Sequence, residues 1–297
     1  MSGYIYPFLT ILIWSGSYIV SKLAVGNIEP ATLAFYRCFV ALVVMTPLVL
    51  PAAVRQWQAI KSNISYLLIL AATGMVLSQT MTYFSAYHTS AAKMSLINSM
   101  IPIVSIVFSA MLLQTSVRAY QSLGIAISLI GVGFIVSSGE VLQVLSTQLN
   151  RGDLMMGVGT LSYGFYTVLL KKWPVTLSGA VLIYVQLFLG SLMLLPNMLV
   201  MSESVVPSQQ AIPLILYASC ALSMVAPWLW KRSIDRVGVM KTSLSMNLMP
   251  VLVFMISYLF LDERFELYHL WGTLLILSGL LIVQFRSLIK MYRGKKG

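Results

Sequence analysis

The chain has 297 residues, of which 59% are hydrophobic and 9% charged, with 19 Lys and Arg against 8 Asp and Glu and a formal net charge of +11. Soluble chains are about 45–50% apolar and about 25% charged, and the mean hydropathy here is +0.88. One or two soluble cores cannot bury such an excess, which excludes a soluble globular enzyme, a disordered chain and a nucleic-acid-binding module.

Stretches without Asp, Glu, Lys or Arg run over 2–21, 38–54, 62–92, 94–117, 119–139, 154–170, 173–202, 204–230, 242–261 and 267–285. The second extends back through Arg37 to about Ala31. A membrane-crossing helix needs about 20 mostly apolar residues, so the pattern predicts ten crossings with short loops. The longest connections are 52–64, 138–152 and 202–210, too short for a soluble domain. The apolar runs are continuous rather than alternating, which excludes a β-barrel. The first run lacks a basic leader, is long and is followed by Lys22 without a small-residue cleavage site, so it reads as a retained helix rather than a cleaved signal. Cys38 and Cys220 sit inside apolar runs and suggest neither a disulfide nor a metal site.

The charges sort by side. With ten crossings, Arg55, Lys61, Arg118, Lys171, Lys172, Lys231, Arg232, Arg236, Lys241 and the tail Arg286, Lys290, Arg293, Lys295 and Lys296 share the side of both termini, with one acid, Asp235. The other side carries Glu29, Glu140, Asp153, Glu203, Asp262, Glu263 and Glu266. The positive-inside rule then makes both termini cytoplasmic. The expected location is a bacterial-type inner membrane. The basic balance is thus a cytoplasmic rim and not a nucleic-acid footprint.

The chain also repeats itself at a constant offset of 148 residues. Gly16, Tyr18 and Val20 meet Gly164, Tyr166 and Val168. Tyr36 meets Tyr184; Lys93, Ser95 and Leu96 meet Lys241, Ser243 and Leu244. Pro102 meets Pro250, Ser109 meets Ser257, and Tyr120, Gly124 and Gly131 meet Tyr268, Gly272 and Gly279. Each copy holds five crossings, an odd number, so the second enters the membrane inverted. The expected fold is therefore all-α and integral to the membrane, with ten transmembrane helices as two inverted five-helix repeats, 1–145 and 146–297. Inverted repeats are typical of transporters whose site lies near the midplane between the halves.

Trp14-x-x-Ser17-x-x-x-x-Lys22, then Pro30 and Arg37, resembles the opening of an EamA module. Val237-Gly238-Val239, Ser243, Pro250, Leu261-Asp262-Glu263-Arg264, Gly272 and Gly279 resemble that module's end. Gly152-Asp153-Leu154 followed by Ser162-Tyr163 resembles the start of a second module. The resemblance covers nearly the whole chain and implies the drug/metabolite transporter superfamily, with export of amino acids or other small metabolites. The first module departs from the pattern where Gln114-Thr115 stands in place of the acidic pair Asp262-Glu263.

Polar side chains in mid-span should face inward. Ser95, Asn98, Pro102, Ser105 and Ser109 form one helical stripe in the fourth span, and Ser243, Asn247, Pro250 and Ser257 a matching one in the ninth. Both prolines free backbone carbonyls in mid-membrane. A cavity between these spans is one reading; close packing by small residues is the other. Gln79 and Tyr83 in the third span, Trp14, Ser17 and Tyr18 in the first, and Tyr163 and Tyr166 in the sixth are further candidate substrate contacts. Trp228 and Trp230 serve either a gate or an interfacial belt. Arg37 lies about 9 Å into its span at 1.5 Å per residue, where it either attracts an anionic substrate group or braces helices. Lys22 and Lys93 sit near the non-cytoplasmic ends, where snorkelling or a pair such as Lys22–Glu29 is the alternative to function. Lys93 and its counterpart Lys241 form candidate gate elements on opposite faces, with Trp228. The repeated glycines read as close packing of the fifth and tenth spans.

No nucleotide-binding motif is present, and no carboxylate falls deep within a span. His88 is the one histidine close to a pathway, at the end of the third span. The energetics expected are those of a facilitator or exchanger with little or no proton coupling, working by alternating access without a cofactor or metal, as a monomer or homodimer, on a small-molecule substrate. Efflux of amphipathic aromatic compounds also fits the aromatics and the 18 Met. A membrane enzyme acting on lipids would need a cluster such as His269 with Glu266 and Asp262.

Overall fold

A backbone surrounded by hydrocarbon must satisfy every N–H and C=O within the protein, and long apolar runs do so as helices. The structure, a computed structural model, describes residues 5–114, 116–139, 150–173, 175–202, 205–237, 246–264 and 266–293. All regular structure among them is helical. In chain order the principal helices are α1 (Ile5–Ala24), α2 (Pro30–Arg55), α3 (Ile64–Ser85), α4 (Ala91–Leu113), α5 (Ala119–Val136), α6 (Arg151–Lys172), α7 (Gly179–Met201), α8 (Gln209–Trp230, continuing as helix to Val237), α9 (Met249–Leu261) and α10 (Leu267–Arg293).

Six of these, α1 to α4, α7 and α8, are long and apolar enough to cross a membrane. Shorter apolar helices cover Ala119–Ile135, Met249–Leu261 and Leu267–Val283. α6 is less apolar because Arg151, Asp153, Lys171 and Lys172 occupy its ends. The chain is thus a multi-pass helical membrane protein. The connection expected over 52–64 is itself largely helical: α2 runs through Pro47 and Pro51 to Arg55, and a short helix, Trp57–Ser62, follows. Most of the connection 138–152 lies outside the described residues, as do Lys241 and Ser243 and the side chain of Asn247.

The two halves share irregularities as well as helices. α3 passes through a π-helical segment at Ala71–Leu77, and α8 does so at Tyr217–Val225. α4 breaks at Ser99–Met100 and resumes at Ile101–Leu113; in the second half a short 3-10 turn at Met246–Leu248 precedes α9. Pro102 and Pro250 each stand in the first turn of the resumed helix, so they start a helical segment rather than kink one. The resumed helices end at Gln114 and Asp262, both left-handed, with φ of 52° and 50°.

α5 and α10 form the most extensive helix pair, running antiparallel. A Cβ at Gly124 would lie 2.6 Å from the carbonyl oxygen of Gly279, and one at Gly131 would lie 2.9 Å from that of Gly272. Only glycine permits backbones this close. α2 and α7 form a second antiparallel pair, tied by Thr46 and Tyr184 (3.2 Å), by Thr32 Oγ1 donating to Ser202 Oγ (2.7 Å), and at the other end by Ser178 N–H donating to Gln56 Oε1 (3.0 Å). The first helix of each half packs on the other half: α1 against α8 and α9, α6 against α3 and α4. The polar residues of α1 and α6 therefore meet those of the opposite repeat.

Candidate functional site

Trp14 and Tyr18 lie one turn apart on α1, so they share a face. Tyr18 is buried, and its hydroxyl accepts a hydrogen bond from Asn98 Nδ2 at 2.6 Å. Thr160 Oγ1 of α6 donates to Asn98 Oδ1 at 3.4 Å. Asn98 thus joins α1 to α6 from the break in α4. Pro102 lacks an N–H, which leaves the Asn98 carbonyl without its usual helical donor. Tyr18 also contacts Met249 Sδ at 3.9 Å, so α9 reaches the same point.

Arg37 enters from α2. It is 8% exposed, and its Nε donates to Ser223 Oγ of the α8 π-helical segment at 3.0 Å. Its Nη1 is buried and has no partner. The buried Tyr83 of α3 lies beside the guanidinium, which also acts electrostatically on Tyr163 of α6. A π-helical segment loosens the backbone ladder and is common at functional sites. Here one segment supplies Ser223 to Arg37, while the Thr73 carbonyl in the other accepts from Ser162 Oγ of α6 at 2.8 Å.

Tyr163 and Tyr166 pack at 5.4 Å between ring centroids. The Tyr166 hydroxyl donates to Gln186 Oε1 of α7 at 3.1 Å, and its ring fills the space beside Gly74. Gln186 is fully buried, with Nε2 unpaired. Trp14 packs on Trp230 of α8 with centroids 5.1 Å apart. Tyr18 and Asn98 form one polar group and Arg37 and Tyr83 another; Tyr163 interacts electrostatically with both Tyr18 and Arg37, and with Trp14 these residues make up the candidate zone.

The other expected residues fall at its edge or beyond it. Ser17 is half-buried and spends its hydroxyl on the Trp14 carbonyl (2.7 Å). Ser95 is buried and donates to the Ala92 carbonyl (2.8 Å), so its hydroxyl is spent within its own helix. Gln79 and Pro102 are half-buried and Pro250 is buried. Trp228 points away, 53% exposed, under the Arg232 guanidinium at 4.7 Å, and Trp230 is the one that turns inward. Sequence reasoning did not single out Ser223, Thr160, Ser162 as a hydrogen-bond donor, or Gln186. Small hydroxyls in apolar runs read as packing, although Gln186 is a lone amide in an otherwise apolar span.

One end of the bundle is fastened across the halves at the turn 86–92 between α3 and α4. Lys22 Nζ donates to the Ala86 and Thr89 carbonyls at 2.7 and 3.0 Å, so it binds backbone there. Glu263 accepts from the Ala91 and Ala92 N–H groups at 2.8 and 3.2 Å, a favourable place for a carboxylate at the start of α4. Asn150 Nδ2 donates to the His88 carbonyl at 2.6 Å. Thr89 Oγ1 donates to Asp153 Oδ1 at 2.5 Å. Asp153, expected in a loop, is enclosed in the first turn of α6 at 5% exposure, because α6 starts three residues earlier than the apolar run indicates. Lys93 Nζ donates to Ser138 Oγ at 2.9 Å and lies 5.7 Å over the Tyr268 ring, in the same cluster.

His269 has a structural setting. Its Nδ1 accepts from the Glu266 N–H at 3.2 Å in the first turn of α10, and its ring packs on Phe254 and Tyr268. Among the described residues no His, Cys, Asp or Glu cluster could hold a metal.

A helical membrane bundle whose two halves repeat their irregularities and interleave around an internal polar zone is the layout of a membrane transporter. The EamA-like transporter family model matches residues 1–137 and again 150–285. The chain belongs to the EamA-like transporter family, whose members are transporters and not enzymes, so the lipid-enzyme alternative built on His269 falls. Relatives include an uncharacterized transporter, YyaM, of Bacillus subtilis, 24% identical over 94% of this chain and 92% of the relative. Protein PecM of Dickeya dadantii is 25% identical over 98% of this chain and 94% of its own. A probable terminal-alkyne amino-acid exporter of Streptantibioticus cattleyicolor is 21% identical over 94% and 92%. A solved crystal structure with 15% identity aligns over 96% of this chain and 97% of its own with a TM-score of 0.61, which speaks to the fold alone.

Proposed function

We propose that the chain exports small polar metabolites, amino acids or related compounds, across a bacterial-type cytoplasmic membrane as a secondary transporter. In this reading ten helices cross the membrane as two inverted halves, 1–145 and 146–297, with both termini cytoplasmic. The observation that carries it is the Asn98 bridge to Tyr18 and Thr160, a polar junction between the halves at the break in α4. Substrate groups that replace these hydrogen bonds would loosen one half from the other, as alternating access requires. The fastening at the turn 86–92 is then the closed extracytoplasmic gate, and Lys93 belongs to it. A relative named as a probable amino-acid exporter supports the substrate class.

The Trp14–Trp230 pair favours a second substrate class, amphipathic aromatic compounds, since aromatic rings stack on flat molecules. Purified protein in proteoliposomes, preloaded with unlabelled amino acids and offered the labelled forms, tests the proposal. Saturable counterflow lost in Asn98→Ala supports it. Counterflow equal to that of empty liposomes for amino acids, organic acids and dyes alike sinks it.

A further inference from the structure

Arg37 is a positive charge enclosed among apolar helices, and no described carboxylate pairs with it. Its Nε is held by Ser223. The buried Tyr83 lies beside the guanidinium, whose charge also acts on Tyr163. The carboxylates Glu263 and Asp153 sit at the adjoining end, Glu263 on the Ala91 and Ala92 N–H groups and Asp153 on Thr89 through Oδ1. Nη1 is left buried and unpaired at 8% residue exposure. An ion enclosed without a counter-ion is costly, and the cost is relieved when an opposite charge arrives. The guanidinium is held at Nε by Ser223 and hydrogen-bonded to Tyr83, and Nη1 remains to donate to an oxygen of a carboxylate or phosphate.

We infer that Arg37 is the receptor for an anionic group of the substrate, and that the site prefers molecules of net negative charge over zwitterions and cations. This rests on the transporter reading above and narrows it. A zwitterion brings an ammonium as well, and the zone offers that group only ring faces and hydroxyls: Trp14, Tyr18, Tyr83, Tyr163 and Asn98 carry no negative charge. A net anion leaves the zone neutral.

Four compounds built on one phenyl ring separate the possibilities: phenylacetate, phenyl phosphate, phenylalanine and phenethylamine. Their binding to the full chain in detergent is read by thermal shift and by calorimetry, with wild type, Arg37→Gln and Arg37→Lys. The expectation is that phenylacetate or phenyl phosphate binds wild type most tightly, phenylalanine more weakly and phenethylamine least. The tighter of the two anions identifies the group received. Arg37→Gln loses anion affinity by about tenfold or more, the scale of a charged hydrogen bond, and Arg37→Lys keeps part of it. Should Arg37→Gln fail to fold, Ser223→Ala, which frees Nε but keeps the charge, must retain the order anion over cation. Equal or tighter binding of phenethylamine or phenylalanine, anion binding unchanged in a folded Arg37→Gln, or no binding of either anion overturns the inference. Proteoliposome flux separates the two failures. Flux of the zwitterion or cation but not the anion leaves the transporter reading standing without this one, and absence of any flux removes both.

Discussion

Ser128 Oγ donates a hydrogen bond at 3.2 Å to the carbonyl of Ile276, the residue 148 positions further along the chain. The offset is the same one that aligns the two halves of the sequence. A residue touches its own repeat counterpart only near an axis relating the copies, so in the inverted-repeat reading this bond marks where that axis crosses the α5–α10 pair. The neighbouring glycines obey the same relation. Gly124 abuts Gly279, and Gly131 abuts Gly272, so each contact is the image of the other.

Reciprocal contacts predict reciprocal costs. Gly124→Leu and its counterpart Gly272→Leu should lower the thermal midpoint in detergent by similar amounts, with about 1–3 kcal/mol lost to overpacking in each. Gly157, with open space around its Cβ position, is the control. Gly157→Ala should be neutral or stabilise by up to about 1 kcal/mol, since alanine is the better helix former. A large drop at Gly124 with none at Gly272 would break the symmetry argument.

The Tyr18–Asn98 bond should appear as energetic coupling. Tyr18→Phe and Asn98→Ala each destabilise alone, and the double variant should cost less than the sum by about 0.5–3 kcal/mol, the range for residues in direct contact. Strict additivity in unfolding experiments would mean that the bond contributes nothing. The repeat-related Tyr166→Phe should cost about 1–3 kcal/mol, because it leaves the Gln186 carbonyl oxygen buried and unpaired.

The fastening at 86–92 predicts accessibility. In a background with Cys38 and Cys220 replaced by Ala, since both are free thiols, Ser95→Cys lies one turn inside the gate. Glu263→Ala removes two hydrogen bonds to the start of α4 and should raise labelling of Cys at 95 by an impermeant maleimide from outside. An increase of about tenfold corresponds to one charged hydrogen bond of about 1.5 kcal/mol. An unchanged rate would mean that Glu263 does not hold that end shut.

Trp230→Ala should lower the thermal midpoint more than Trp228→Ala. The former loses the Trp14 contact, and an aromatic pair adds about 0.5–1.5 kcal/mol beyond buried area. The latter loses an exposed ring with a cation over it. Equal effects would place both rings in the interior.

The same tryptophans show where sequence reasoning stops. The helical, membrane-embedded character follows from apolar run length, and the offset, the paired prolines and the glycine seam from matched residue types. The facing of Trp228 and Trp230 does not. A π-helical segment at Tyr217–Val225 interrupts the 3.6-residue period just before them, so a face extrapolated from upstream arrives out of phase. Asp153 was illegible for another reason: a run defined by its lack of charge ends at the first charge, while the helix continues past it to Asn150 as cap. Arg37 and Asn98 were legible because each is polar in mid-span. Ser223, the partner of Arg37, is one more small hydroxyl in an apolar run, and only folding brings it to within 3.0 Å.

The most direct test of the account is initial uptake of labelled amino acids and organic acids into proteoliposomes by wild type, Asn98→Ala, Arg37→Gln and Trp228→Ala. A transporter with its substrate zone between the halves predicts saturable uptake by wild type, about tenfold or greater loss in the first two variants, as expected when a hydrogen bond to a charged or buried group is removed, and near-normal uptake in Trp228→Ala. Wild-type uptake that persists in both Asn98→Ala and Arg37→Gln would contradict the site, and uptake no greater than that of empty liposomes would contradict the function.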